Sequence, residues 1–88
     1  MTELKIKVYG TTWCPDCVRA KEVLAKHSVQ YDWIDISYDA EARVYVEKVN
    51  HGNRSVPTIV FPDGSVLVEP SNAELEKKLQ TLAGGSAG

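Results

Sequence analysis

Cysteine is scarce in this 88-residue chain, which holds two. Two are too few for the disulfide framework by which small secreted domains make up for a thin core. Long apolar runs are missing as well. None approaches the ~20 residues that cross a bilayer as a helix, and Met1-Thr2-Glu3-Leu4-Lys5 does not resemble a signal peptide. A cytoplasmic protein with no membrane partner is expected. Positive charge is not in excess either: 10 Lys and Arg face 12 Asp and Glu, for a net charge of −2. A nucleic-acid binder shows a basic footprint, so no nucleic-acid partner is expected. With 43% hydrophobic and 25% charged residues the composition is that of an ordinary globular protein. Its length allows a single domain, with no separate cofactor domain.

What is present falls into a regular order. Leu4, Ile6 and Val8 alternate with Lys5, Lys7 and Tyr9, which is the period of a strand. A loop follows from Gly10, and Pro15 suits a first helical turn, where its missing N–H would go unbonded in any case. Cys17, Ala20 and Leu24 share one face of that helix, whose pattern fades near His27-Ser28. Tyr31 to Ile36 reads as a second strand and residues 39–49 as a second helix, with Ala42, Val46 and Val49 turned inward. Asn50-His51-Gly52 stops it. Pro57 opens a third strand reaching Phe61, Pro62-Asp63-Gly64 is turn chemistry, and Val66, Leu67 and Val68 return as a hairpin partner. Ser71 and Glu74 form a capping box for a last helix with Leu75, Leu79 and Leu82 on its buried stripe. Residues 84–88 are low in complexity and read as a flexible tail after one domain over 1–83.

The order β-α-β-α-β-β-α predicts an α/β fold. Its first β-α-β unit implies a parallel pair and its hairpin an antiparallel pair, so the four-stranded sheet is mixed and flanked by helices. One conflict stands out. Lys5 and Lys7 suit a strand with one wet face, whereas a central strand covered on both sides reads as more apolar.

The cysteines stand as Cys14-Pro15-Asp16-Cys17 at the expected strand-to-helix junction. Three residues apart on a helix start, both sulfurs reach the same face. Free N–H groups and the positive end of the helix dipole favour a thiolate at Cys14, and the thiolate is the nucleophile. Cys17, one turn deeper, is placed to attack a mixed disulfide formed at Cys14, which is the chemistry of thiol–disulfide exchange. Other uses of such a pair are a zinc site, a static disulfide and unrelated core packing. Zinc needs four ligands, and His27 and His51 are the remaining candidates of that kind. A second feature converges on the pair. Pro57, after Ser55-Val56, cannot donate to a ladder and belongs at a strand start or edge.

With Cys-x-x-Cys upstream and β-α-β between, the chain resembles the thioredoxin fold, and its short N-terminus and Cys-Pro-x-Cys resemble a glutaredoxin. Across nearly the whole length it is similar to the mycoredoxin-like glutaredoxins, through Thr11-Thr12-Trp13-Cys14-Pro15-Asp16-Cys17, Asn53-Arg54-Ser55-Val56-Pro57-Thr58, Phe61-Pro62-Asp63-Gly64-Ser65 and Pro70-Ser71. The resemblance implies a reductase of disulfides and of mixed disulfides between proteins and a low-molecular-weight thiol. It makes Cys14 the nucleophile, Cys17 the resolving thiol and Pro57 a cis-proline, with Trp13, Arg54, Ser55 and Val56 lining the groove. It implies no bound cofactor and no metal. The partners are disulfide-containing client proteins and a small thiol, mycothiol or glutathione, as co-substrate. Alternative readings are a thioredoxin-like donor recharged by a flavoprotein thioredoxin reductase and a module binding an iron–sulfur cluster. A monomer is expected.

Two departures bear on the chemistry. Glutathione-using glutaredoxins carry a Gly-Gly turn and an Asp before the last helix, where this chain reads Val68-Glu69-Pro70-Ser71-Asn72. Glu69 would repel a substrate carboxylate. Mycothiol, a sugar-linked thiol without a γ-glutamyl carboxylate, is less affected. Pro15 stiffens the motif, while Asp16 stands where many glutaredoxins have Tyr and works against a thiolate at Cys14. His27 reads as a favourable charge at a helix end, His51 as a turn residue, and Trp33 with Tyr31 as sheet packing.

Overall fold

Cys14 ends an extended segment (φ −91°, ψ 113°) and Pro15 takes the first helical position, so the chain turns directly from strand into helix. A computed structural model describes residues 5–85 and orders them as β1 (Ile6–Gly10), α1 (Pro15–Lys26), β2 (Tyr31–Asp35), α2 (Ala40–Val49), β3 (Thr58–Val60), β4 (Val66–Val68) and α3 (Asn72–Gly85). This is the order expected from the sequence. The sheet runs β2-β1-β3-β4, with β1 and β2 parallel and the other neighbours antiparallel.

Caps fix the helix ends. Asp39 Oδ1 accepts the Ala42 N–H at 3.0 Å, satisfying one free donor of α2. Ser71 and Glu74 bond reciprocally: Ser71 N–H donates to Glu74 Oε1 at 2.9 Å, and Glu74 N–H to Ser71 Oγ at 3.1 Å. After α2, His51 (φ 58°) and Gly52 (φ 97°) both take the left-handed conformation that reverses the chain.

Alternation along the strands sorts the core into two layers. Ile6, Val8, Ile59 and Phe61 meet Ala20, Val23 and Leu24 of α1 and Leu75 and Leu79 of α3. Val8, Leu24, Ile59 and Leu75 are fully buried. On the opposite face Ile36, Ala42 and Val46 form a smaller cluster with Tyr9, Ile34, Tyr45 and Val56. This asymmetry resolves the lysine conflict. Among the described residues the ten of α2 are the one helix over the second cluster, and Lys7 stays exposed although β1 is central. Lys5 Nζ lies 3.9 Å from Asp32 Oδ1 on the parallel neighbour.

Boundaries move by a few residues. β2 ends at Asp35, and Ile36 turns into the second cluster with its N–H on Gly10 O at 3.0 Å. β3 begins after Pro57 and stops at Val60, because Phe61 N–H already closes the turn onto Ser65 O at 2.9 Å. Val49, expected to turn inward, is half-buried at the last position of α2, while Ala42 and Val46 are buried. α3 continues through Gly85, past the expected start of the tail at 84, and 86–88 lie outside the described residues, as does Leu4.

Candidate active site

Cys14 caps α1 with its sulfur. Its Sγ accepts the Cys17 N–H at 3.2 Å, filling the role that Ser or Asp plays at other helix starts. On its other side the Cys14 thiol points to Val56 O at 3.9 Å, across 42 residues of sequence. The Val56–Pro57 peptide is cis, and Pro57 is buried beneath it. Both cysteines are free thiols; Cys14 is half-exposed and Cys17 is fully buried. Burial above all, and then the contact with Cys14, push the Cys17 thiol up to about 12. Cys17 therefore stays protonated at neutral pH.

Gly10 makes room for that buried sulfur. A Cβ on Gly10 would sit 2.6 Å from Cys17 Sγ and 2.8 Å from the Trp33 ring. The sequence offered Gly10 only as a loop residue, whereas it ends β1 as part of the wall behind the cysteine pair. Trp33 itself packs on the larger core cluster with Lys21 Nζ 4.1 Å from its ring centre.

The loop carrying Val56 is braced from behind. Thr58, fully buried, donates its hydroxyl to Ser55 O at 2.7 Å and accepts from Asn50 Nδ2 at 3.1 Å. Asn50 Nδ2 also reaches Val46 O at 2.8 Å, so the end of α2 is tied to the start of β3. From the other side Glu69 N–H donates to Pro57 O at 2.9 Å, with Glu69 at φ 49° and its side chain exposed. A glycine holds such a conformation more cheaply, which is the departure noted from sequence.

A groove of about 310 Å³ opens beside the pair, lined by Thr11, Trp13, Ile36, Ser37, Arg43, Arg54 and Val56. Of the residues named for this role from sequence, Trp13, Arg54 and Val56 line it. Ser55 does not; its carbonyl is engaged by Thr58. Trp13 forms part of the groove wall with 69% of its surface exposed. The Arg54 Nε bonds the Glu47 carboxylate, so its charge is already partnered. Arg43 was missed. The sequence pattern does not single it out, and only the chain's return past Ile36, whose carbonyl takes Arg43 Nη1 at 2.8 Å, places it here.

Asp16 is also partnered, by Arg19 Nη2 at 2.9 Å on the next turn. His27 caps the end of α1 with Nε2 3.7 Å from Glu76 Oε2, and His51 lies in the turn after α2. Among the described residues no cluster of three or more His, Cys, Asp or Glu side chains is placed to hold a metal, and no helix is long and apolar enough to cross a membrane.

The comparisons with known proteins agree with this geometry. The family profile described as Glutaredoxin matches residues 6–67. A provisionally named glutaredoxin of Mycobacterium tuberculosis is 42% identical over 84 residues, covering 96% of this chain and 100% of that protein. Mycoredoxin 1 of Corynebacterium glutamicum is 40% identical over 78 residues, 89% of this chain and 96% of that one. The crystal structure of a thioredoxin-like protein, BC3987, superposes with a TM-score of 0.68 at 37% identity, covering 89% of this chain and 99% of the other. Fold, cysteine pair and relatives converge, and the chain belongs to the glutaredoxin family of thiol oxidoreductases.

Proposed function

We propose that this chain reduces disulfides in client proteins, and mixed disulfides between proteins and a small thiol, through Cys14 and Cys17. One observation carries the reading. Cys14 Sγ sits at a helix N-cap, receives the Cys17 N–H and faces the cis-Pro57 loop while remaining half-exposed beside an open groove.

In the first step the Cys14 thiolate attacks one sulfur of the mixed disulfide. A new S–S bond forms at Cys14, the old one breaks, and the departing thiolate takes up a proton. The N–H of Cys17 and the dipole of α1 stabilise the negative sulfur before attack and whenever it is regenerated. Two routes close the cycle. A second small thiol attacks the adduct at Cys14, or Cys17 gives up its proton and attacks Cys14 Sγ, leaving an intramolecular disulfide. Burial keeps Cys17 protonated until an adduct is present, which favours the small-thiol route. Trp13, Arg43, Arg54 and Val56 line the surface on which the small thiol would lie. Pro15 and Asp16 tune the pair.

For the small thiol, the reading is mycothiol over glutathione. Glu69, whose backbone N–H bonds Pro57 O and whose side chain is exposed, adds a negative charge near the loop that disfavours an approaching γ-glutamyl carboxylate, and one relative bears the name mycoredoxin. A coupled assay with mycothiol, glutathione or thioredoxin reductase as electron source, on a small-thiol mixed disulfide, tests this. Turnover is expected to be fastest with mycothiol and to persist in a Cys17→Ser variant. Equal rates with glutathione would remove the preference. NADPH consumption with thioredoxin reductase alone would favour the thioredoxin-like alternative.

A further inference from the structure

Asp16 is the odd member of the site, a carboxylate residue between the two cysteines in sequence, whose sulfurs carry negative charge during exchange. Its negative charge is one of the influences that hold the Cys17 proton in place. Arg19 stands three residues on, the spacing that brings side chains together on a helix, and its Nη2 lies 2.9 Å from Asp16 Oδ1. Arg19 is not a free surface arginine. Its Nε is buried and has no hydrogen-bond partner, and the side chain lies in a shallow groove where α1 meets α3, beside Val23, Lys26, Asn72 and Glu76. A buried donor left unpaired is costly, so at its Nε the side chain is placed by its surroundings, while its outer Nη2 reaches Asp16.

We propose that Arg19 is a charge-compensating positioning residue of the redox pair, which acts on the cysteines through Asp16. It rests on the dithiol reading proposed above. The chemistry has a definite sign. Oxidation of the thiolate form joins Cys14 Sγ to Cys17 Sγ and releases the Cys17 proton and two electrons; with one further proton from solvent these convert glutathione disulfide, used as acceptor, into two glutathione thiols. A bare carboxylate beside the sulfurs destabilises the thiolate form of the reduced state, so it drives oxidation and makes the couple more reducing. Arg19 cancels part of that field and makes the couple less reducing. Both side chains are nearly half-exposed, so solvent screens the pair and the effect is modest. Of the remaining charged groups of this groove, Lys26 and Glu76 offset each other, with Lys26 Nζ 3.3 Å from Glu76 Oε2, and Glu22 adds one negative charge that is the same in all four corners of the test below.

The test is a four-cornered cycle. Wild type, Asp16→Asn, Arg19→Gln and the double variant are equilibrated in glutathione and glutathione disulfide buffers at pH 7. Alkylation and mass spectrometry then read the reduced fraction. Asp16→Asn is expected to shift the equilibrium constant about two- to five-fold toward the dithiol, and Arg19→Gln by a similar factor toward the disulfide. In the Asp16→Asn background Arg19→Gln should change nothing further, and Arg19→Lys should restore the wild-type constant. An Arg19→Gln shift of equal size in both backgrounds, or no shift in either, would overturn the proposal. A wild-type protein that forms no intramolecular disulfide anywhere in the buffer range would instead overturn the dithiol reading beneath it.

Discussion

Gly10 and Cys17 show how tightly a single side chain is bounded at the centre of this molecule. Cys17 is fully buried, and the nearest position for a new carbon on Gly10 is 2.6 Å from its sulfur, well inside van der Waals contact. A Gly10→Ala variant must move either the sulfur or the Trp33 ring, and overpacking of this kind costs about 1–3 kcal/mol. Urea unfolding of the reduced protein should show that loss, and an unchanged midpoint would mean the wall behind the pair is soft. The same burial makes a prediction about pH. Burial raises the Cys17 thiol to about 12 in the folded chain, from the ordinary thiol value of about 9. The unfolded chain therefore releases this proton first as pH rises. The stability held by the protonated thiol is complete below pH 9 and is lost between about 9 and 12. Wild-type reduced protein should lose stability across that interval more steeply than Cys17→Ser, and parallel curves would contradict the assignment. At this scale the cysteine pair was legible from spacing and residue type, and Pro57 as a strand start from its missing N–H, with its place beside the pair implied by the resemblance to the thioredoxin fold. Gly10, Asn50, Thr58 and Arg43 were not. Each acts through a partner in another element, and nothing in the local pattern announces it.

Elements bring the two halves of the site together, since Cys14 opens α1 while Val56 precedes β3. The pairing of β1 with β3 sets their distance, and the Asn50–Thr58–Ser55 bonds hold the loop in place. Thr58→Val keeps the shape of the side chain but leaves Ser55 O and Asn50 Nδ2 each short of a partner in a buried setting. A loss of about 1–3 kcal/mol is expected by denaturant unfolding, with a raised KM for the mixed disulfide and a smaller change in kcat. A loss in stability with unaltered KM would show that the brace does not position the loop. The helices and strands themselves were readable from period and punctuation. Pro15, Asp39, Gly52 and Ser71 with Glu74 each mark a boundary through a backbone requirement that the structure meets. Strand ends were less readable, because a ladder stops where its partner turns away. The Ile36 shift and the short β3 are both of that kind.

The whole molecule is divided between a well-packed side, where α1 and α3 cover the sheet, and a thinner side under α2. Lys7 on β1 is the visible mark of that difference, and it explains how a central strand carries lysines. Sulfur exchange needs a helix end, a cis-proline loop and a groove, and 88 residues suffice to build them. Two of the acidic residues counted at the outset fall at the site, Asp16 between the cysteines in sequence and Glu69, whose backbone N–H bonds Pro57 O. The measurement that tests the central claim most directly is trapping of the first intermediate. Cys17→Ser and Cys14→Ser variants are mixed with a peptide–mycothiol disulfide, quenched with iodoacetamide and mapped by mass spectrometry. The account predicts a mycothiol adduct on Cys14 in the Cys17→Ser variant and none on Cys17 in the Cys14→Ser variant. An adduct on Cys17, or none on either variant, would contradict it.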